Sequence, residues 1–343
     1  MAVTLKDIAK ASGYSITTVS RALAGYSDVS EKTRNHIKAI AEKLGYQPNH
    51  IARQLRSQKT RTIGLILPEA AYTATDEFFS LFMMGIGHAA SLYHYDLLLG
   101  VQITGDDEIV AYQRMVGENR VDGMIIARTK HHDQRVAYLQ SSQTPFVVFG
   151  RLDPSHPHNF AYIDVDSTLG IQCGMEHLIS LGHRHIGLIL SPLEMVYTDY
   201  RLQGYQKGLT AAQLPFREEY IVVGDLKTES GYALTHTLLD SQPQITAIVA
   251  CNDHMALGSI KAAQERGLRV GHDISIMGYD DIVAAAHAHP SLTTIRQPIF
   301  EIGEQVAALL IQQIEKLNSI NAQHTLLEPT LVVRESTGPC IHS

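Results

Sequence analysis

Three short runs of apolar residues at helical spacing open the chain. Leu5, Ile8, Ala9 and Ala11 form one stripe, closed by Gly13. Val19 and Leu23 mark the inner face of a second run, Ile16 to Leu23. Ile37, Ile40, Ala41 and Leu44 repeat at three and four residues in a third, ended by Gly45. Thr4 with Asp7 three residues on, Ser15 and Ser30 stand where N-caps belong, since their side-chain oxygens can serve the unbonded amides of a first turn. The spacing predicts three helices with a tight glycine turn between the first two. That is the helix-turn-helix arrangement, although a plain three-helix bundle has the same stripes.

From Arg61 the period changes. Short β-rich runs such as TIGLILP, YDLLLGV, VDGMIIA and PFVVFG alternate with helical stretches as far as Asp153–Phe160, a loop rich in Pro and His. A second series follows: YIDVD, HIGLILS, YIVVGD, AIVACND and ISIMGYDD. Alternation of this kind implies parallel sheets with helices on both faces. The predicted fold is a small all-α head plus an α/β body of two doubly wound parallel-sheet lobes. The helical run Phe300–Leu317 and the strand Thr325–Val333 come after both series, so the chain is expected to cross back near Thr293–Pro298. The expected division is a head at 1–47, a hinge at 48–60 and a body at 61–343. One lobe takes about 61–160 plus 293–324, and the other about 161–292 plus 325–336.

Charge sharpens the division. Residues 1–61 hold eleven Lys/Arg against four Asp/Glu, a net of +7, while the whole chain is −7 with 28 basic and 35 acidic residues. The rest therefore carries −14. A basic head on an acidic body points to a polyanion partner for the head, which a plain bundle does not need. Together with the helix-turn-helix pattern, this predicts double-stranded DNA.

Other classes lose ground on composition. No apolar run reaches the roughly 20 residues of a membrane helix, and the charged start MAVTLKDIAKASG does not read as a signal peptide, so a cytoplasmic protein is expected. Cys173, Cys251 and Cys340 are far apart and fit neither a disulfide framework nor a metal site. His131-His132-Asp133, His156-Pro157-His158 and His183-Arg184-His185 read as surface histidines. Gly85-Ile86-Gly87 falls inside a helical run and reads as close helix packing, not a dinucleotide loop. No P-loop or nucleophile elbow occurs, and no cofactor is expected.

Between head and body, Pro48 and Asn49 are helix-start residues, and His50–Lys59 spans about two helical turns. So short a helix is marginal alone. The segment is either a solvated linker or a helix that forms against a partner. Leu55 between Arg53 and Arg56 has the make-up of a minor-groove wedge flanked by phosphate-binding cations.

TLKDIAKASGYSITTVSRAL, followed by VSEKTRNHIKAIAEKLGYQPNHIARQLRS, closely resembles the lactose/galactose/purine-repressor family of bacterial regulators, and the resemblance runs on to about Arg334. It implies that Ile16, Thr17 and Arg21 read bases, that Thr4, Ser15, Thr18 and Ser20 hold phosphates, and that Leu55 is the minor-groove lever, with Asn49, Ala52 and Arg56 beside it. It also implies a body like that of periplasmic binding proteins. Two departures stand out: Ala24-Gly25 where relatives often carry Asn, and Asp28 where a neutral or cationic residue is common.

In open α/β sheets, ligands sit beyond the C-terminal strand ends. Arg128 follows MIIA, Arg151 follows VVFG, Asn252 follows AIVAC, Asp280 follows ISIMGY, and Arg201 opens a helix. Such side chains pair bidentately with a ligand dense in hydroxyls, and Phe78 and Phe79 are candidates to stack on a sugar face. Position alone nominates Arg128 and Arg151. The resemblance adds weight to Arg201, Asn252 and Asp280. Asp164, Asp166 and Tyr72 read as a cap, a surface charge or a core aromatic. The expected protein is a homodimeric repressor on a near-palindromic operator, controlled by a small molecule, a sugar or oligosaccharide, bound between the lobes. A purine-type corepressor-dependent regulator and a solute-binding protein are the alternatives.

Overall fold

The structure is a computed structural model. It describes residues 3–46, 59–67, 77–101, 108–152, 159–315 and 323–341. The chain forms two compact units, Met1–Thr60 and Arg61–Ser343.

In the first unit, α1 (Leu5–Ser12), α2 (Ile16–Leu23) and α3 (Glu31–Lys43) follow the predicted runs. The Asp7 carboxylate accepts the Thr4 amide at 2.9 Å, and the Ser15 and Ser30 hydroxyls accept the Thr18 and Thr33 amides. Gly13 ends α1 in the left-handed conformation, φ 74°, which a side chain disfavours. Ile8, Val19, Ala22, Val29, Ile37 and Ala41 are the core where the three helices meet.

The second unit holds two six-stranded sheets. The first contains β1 (Thr62–Leu67), β2 (Asp96–Val101), β3 (Gly123–Ala127), β4 (Phe146–Phe149), β5 (Ala161–Val165) and β11 (His324–Leu327), in the order β11-β5-β4-β3-β1-β2. The second contains β6 (Ile186–Leu190), β7 (Ile221–Val223), β8 (Ala247–Ala250), β9 (Ser275–Asp280), β10 (Thr293–Arg296) and β12 (Thr330–Val332), in the order β12-β10-β9-β8-β6-β7. All pairings are parallel except β10 with β12. Helices α4 (Glu77–Leu92), α5 (Glu108–Gly117), α6 (Gln134–Ser141) and α12 (Ile299–Glu315) belong to the first lobe. Helices α7 (Ser167–Ser180), α8 (Val196–Ala211), α9 (Thr228–Ser241), α10 (Asp253–Glu265) and the short α11 (Val283–His287) belong to the second.

Both faces of the first sheet are apolar, as parallel sheets require. Ile63, Leu65, Ile125 and Val147 pack with α4 and α12, while Ile66, Met124, Ile126 and Val148 pack with α5 and α6. Gly85 works as the close-packing residue its place in a helical run predicts. A Cβ there would sit 2.0 Å from the Phe300 carbonyl oxygen, and one on Gly303 would sit 2.3 Å from that of Phe82.

Two expectations need correction. The strand at 161–165 stays in the first sheet, between β4 and β11, and the strand at 293–296 stays in the second, between β9 and β12. The chain therefore crosses between lobes at Asp166, Gln297–Pro298 and Glu328–Pro329; the first and third lie a few residues later than expected, while the second falls at the end of the expected Thr293–Pro298. The predicted strand Thr325–Val333 is two strands, one in each lobe. Parallel strands buried on both faces read alike in either sheet, so pairing order alone settles which lobe claims them. The third histidine cluster also differs. His183 is 2% exposed and bonds Thr246 and Ser275 through its two ring nitrogens, both at 2.9 Å. It is core, not surface.

Candidate DNA-reading helix and effector cleft

In α2 the buried side is Val19 and Ala22, which leaves Ile16, Thr17 and Arg21 on the exposed side. Ile16 is 45% exposed, an apolar side chain that the core does not claim. The Arg21 guanidinium pairs with Asp28 at 2.5 Å and lies 5.2 Å from the Tyr26 ring. The Thr4 hydroxyl donates to Asp7 at 2.7 Å, and those of Ser15 and Thr18 are 2.9 Å apart, so these three residues shape helix starts as well as facing outward. Ser20 is half-buried. Asn49, Ala52, Leu55 and Arg56 lie outside the described residues, as does Tyr72.

In the second unit a cavity of about 210 Å³ opens between the lobes. It lies where the parallel strands end. From the first lobe come Phe78 at the start of α4, Arg128 and Thr129 after β3, Phe149 and Gly150 at the end of β4, and Asp164 in β5. From the second come Ser167, Tyr197 and Arg201 on α7 and α8, residues 225–229 after β7, Asn252 and His254 after β8, and Asp280 at the end of β9. Gln297 enters from a crossing segment.

Five of the seven predicted effector residues line the cavity: Phe78, Arg128, Arg201, Asn252 and Asp280. Phe79 and Arg151 do not, which corrects their assignment. Phe79 is 1% exposed and lies in the core with Phe82, its ring 4.6 Å from the Arg128 guanidinium. A helix presents neighbouring residues about 100° apart, so Phe78 and Phe79 cannot share one wall. The Arg151 Nε donates to Asp164 at 2.7 Å, and its guanidinium stacks 4.0 Å over Tyr200.

Arg201 is the electrostatic centre of the cavity. It is 6% exposed, between the rings of Tyr279 and Tyr197 at 3.9 and 4.6 Å. Its Nη1 donates to the Cys251 carbonyl, its Nε has no hydrogen-bond partner, and no carboxylate pairs with it among the described residues. Burial weakens its protonation, but Tyr279, Asp280, Cys251 and Tyr197 more than restore it, so it stays charged. A buried unmet donor costs about 1 to 3 kcal/mol, which a ligand oxygen would recover.

Asn252 is already half committed. Its Oδ1 accepts the Met255 amide at 3.0 Å, capping α10, and its Nδ2 donates to the Leu226 carbonyl at 2.9 Å. One N–H is left for a ligand, so the atom facing it must be an acceptor. Asp280 accepts from Gln297 at 2.6 Å. Its φ of 119° and that of 61° at Asp281 are costly for residues with a side chain. The corner is held by Arg296 and Arg334, both 2.6 Å from Asp281, and by Asp253, which accepts the Ile282 amide at 2.9 Å and the Thr294 hydroxyl at 2.5 Å.

The lobes also touch at the cleft edges. After β3, the His131 amide donates to the Glu194 carbonyl and the Val196 amide to the Thr129 carbonyl, both at 3.0 Å, an antiparallel bridge between Lys130 and Met195. His131 lies 3.2 Å from Asp199. Elsewhere the Glu77 carboxylate accepts the Val283 and Ala284 amides at 2.5 and 3.4 Å, capping α11 across the gap.

Residues 4–49 match the model of the bacterial regulatory proteins of the lacI family, and residues 175–337 match a periplasmic binding protein-like domain. The PurR repressor of Photorhabdus laumondii subsp. laumondii is 34% identical over 341 residues, 98% of each chain. The chain belongs to the LacI family. Its folded form is close to family structures. A lac repressor dimer bound to operator and the anti-inducer ONPF superposes with a TM-score of 0.84 at 31% identity, over 98% of this chain and 100% of that one. A CelR–cellobiose complex does so with 0.75 at 31% identity, over 97% and 99%. As a LacI-family member it is a DNA-binding transcriptional regulator.

Sequence reasoning missed several walls of this family cleft. Phe149 stacks on Phe78 with centroids 5.9 Å apart, and the strand-end rule that nominated Arg151 applies equally to Phe149, two positions earlier. The same rule applied to YIVVGD would have found residues 225–229. Asp164 lines the cavity and is not merely a surface charge, while Asp166 caps α7 at the Leu169 amide. Tyr197 and Gln297 carry no sequence signal of their own.

Proposed function

We propose that this regulator represses genes of carbohydrate use and that a sugar or oligosaccharide in the inter-lobe cavity controls its hold on DNA. The observation that carries the reading is Arg201, a buried cation at the cavity wall with an unmet Nε and no carboxylate pair among the described residues. Asn252 offers a donor and Asp280 an acceptor, while Phe78 and Phe149 offer an aromatic wall for a pyranose face. The cellobiose-bound relative supports a sugar; the PurR relative keeps a purine corepressor as the second reading.

In this reading Ile16, Thr17 and Arg21 face base edges in the major groove, and Thr4, Ser15, Thr18 and Ser20 face phosphates. Asn49, Ala52, Leu55 and Arg56 are assigned to the DNA face on sequence grounds. One head reads a half-site, so a two-fold homodimer on a near-palindromic operator follows from the geometry of the motif. The protein acts by binding in the cytoplasm, without catalysis. Control requires the small molecule to bind the two states of the body unequally.

The test is a thermal-shift screen of the full chain against sugars and purines, followed by operator binding with and without the strongest hit. Bound ligand raises apparent stability. A sugar hit that changes operator affinity supports the reading. A purine hit establishes the second one, and equal operator affinity with and without the hit overturns the control scheme.

A further inference from the structure

Beneath the cleft edge of the first lobe lies a second buried arginine that the effector reading does not use. Arg135 is 4% exposed, and all five of its N–H groups are engaged. Its Nε and Nη2 grip the two oxygens of Asp133 at 2.8 and 2.6 Å. Its Nη1 reaches Glu108 at 2.8 Å and the Ala127 carbonyl at 3.2 Å, and Nη2 also reaches the Arg128 carbonyl at 2.8 Å. Lys130 closes the cluster on Glu108 at 2.7 Å, and the Lys130 amide donates to Asp133 at 3.1 Å.

A buried ion pair is seldom more stabilising than apolar residues of the same volume, so stability alone is a weak reason for one. What this cluster holds is specific. Arg135 fixes the carbonyls of Ala127 and Arg128, the two residues at which β3 ends and the chain turns. Arg128 has φ 53°, a left-handed conformation that a long side chain adopts only when its surroundings impose it. That conformation sends the guanidinium over Phe79 and into the cavity wall. The next three residues, Thr129 to His131, form the backbone bridge to Glu194–Val196 of the other lobe.

We infer that Arg135 is a positioning residue for lobe closure: its planar fork locks the strained corner after β3, so that Arg128 faces the cleft and Thr129–His131 clip the two lobes together. It touches neither the cavity nor the opposite lobe and acts through the corner. Its importance for effector binding rests on the effector reading of the cavity. Its hold on the inter-lobe bridge does not.

Hydrogen exchange of the full chain without any added small molecule tests this separately from the effector reading. Val196 is the reporter, because it sits in the other lobe and its amide is bonded to Thr129. Arg135→Gln is expected to speed exchange at Val196 and His131 on the order of tenfold or more beyond any rise at the β6 and β8 amides, which report global unfolding. Arg135→Lys keeps the charge beside Asp133 and Glu108 but loses the fork. It is expected to fold and still to expose both amides, so the test survives if Arg135→Gln does not fold. Parental protection at Val196 in Arg135→Lys would overturn the inference. So would a uniform rise in exchange across both lobes, since that is what a residue of general stability gives.

Discussion

Arg135 and Arg201 are both buried arginines, one in each lobe, and they are provisioned in opposite ways. Arg135 has two carboxylates and two carbonyls, with every donor used. Arg201 has a carbonyl, two aromatic faces and an unmet Nε. Arg135 is complete within the protein, whereas Arg201 is complete only when something else arrives. Burial by itself therefore does not distinguish a structural charge from a ligand-ready one. Counting partners does.

The largest expected effect tests the first half of that contrast. Arg135→Met leaves the buried Asp133 without its guanidinium and Glu108 with Lys130 alone, which should cost about 3 to 5 kcal/mol in urea unfolding of the full chain. Arg201→Met removes a cation with no carboxylate pair among the described residues and should change stability far less. Comparable losses in the two variants would erase the distinction.

The second effect is on binding. Arg201→Met should weaken the effector found in the screen by about 1.5 to 3 kcal/mol, the worth of hydrogen bonds to a charged group, roughly ten- to a hundredfold by titration calorimetry. An unchanged affinity would move the ligand away from α8.

Two buried carboxylates repeat the contrast with the sign reversed. Burial pushes Asp133 up, but Arg135 overcomes this and holds it below the ordinary 3.8. Asp253 has no ion pair among the described residues; burial, with Asp280 nearby, pushes it well above 3.8. A native state that holds a proton more tightly than the unfolded chain is favoured below 3.8 and loses that advantage as pH rises through the native value. The unaltered chain should therefore lose stability relative to Asp253→Asn from about pH 4 upward, at up to about 1.4 kcal/mol per pH unit. For Asp133 the contribution is present above 3.8 and is lost as pH falls through the native value. Melting curves of Asp253→Asn and Asp133→Asn between pH 3 and 7 should diverge from the parent in opposite directions.

The smallest expected effect lies in the head, where a third arginine is paired on the surface. Arg21 and Asp28 are each about half exposed at 2.5 Å. Asp28→Asn should leave stability within about 0.5 kcal/mol, while tightening operator binding in fluorescence anisotropy, because Arg21 no longer shares its charge. Leu55→Ala, outside the described residues, should weaken operator binding more than random-DNA binding; equal loss would discard the wedge assignment.

Much of this organisation was legible in the chain. Helical spacing with Thr4, Ser15 and Ser30 as caps located the three described head helices, because each helix start is a local matter of one side chain and one amide. The alternating series located β1 to β9 but not β10, and the strand-end rule found Arg128, Asn252 and Asp280 because parallel sheets leave their loops at one edge. The failures were of another kind. Strands 161–165 and 293–296 were given to the wrong lobe, since a doubly buried strand carries no mark of its neighbour. Arg151, nominated by position alone, is held against Asp164, whereas Arg201, which the resemblance favoured, has no carboxylate pair among the described residues.

By itself, then, the sequence determined the helix-turn-helix head, the charge split at residue 61, the α/β class of the body and the set of polar residues at strand ends. Those properties come from local propensity, periodicity and charge, which act over a few residues. Tertiary structure decided the three crossings, the cavity that joins Phe78 and Phe149 to Arg201, and the backbone bridge from Thr129 to Val196. These depend on contacts between residues far apart in the chain. So does the state of each buried charge, because a partner supplied by a distant segment fixes whether a guanidinium is satisfied or waiting.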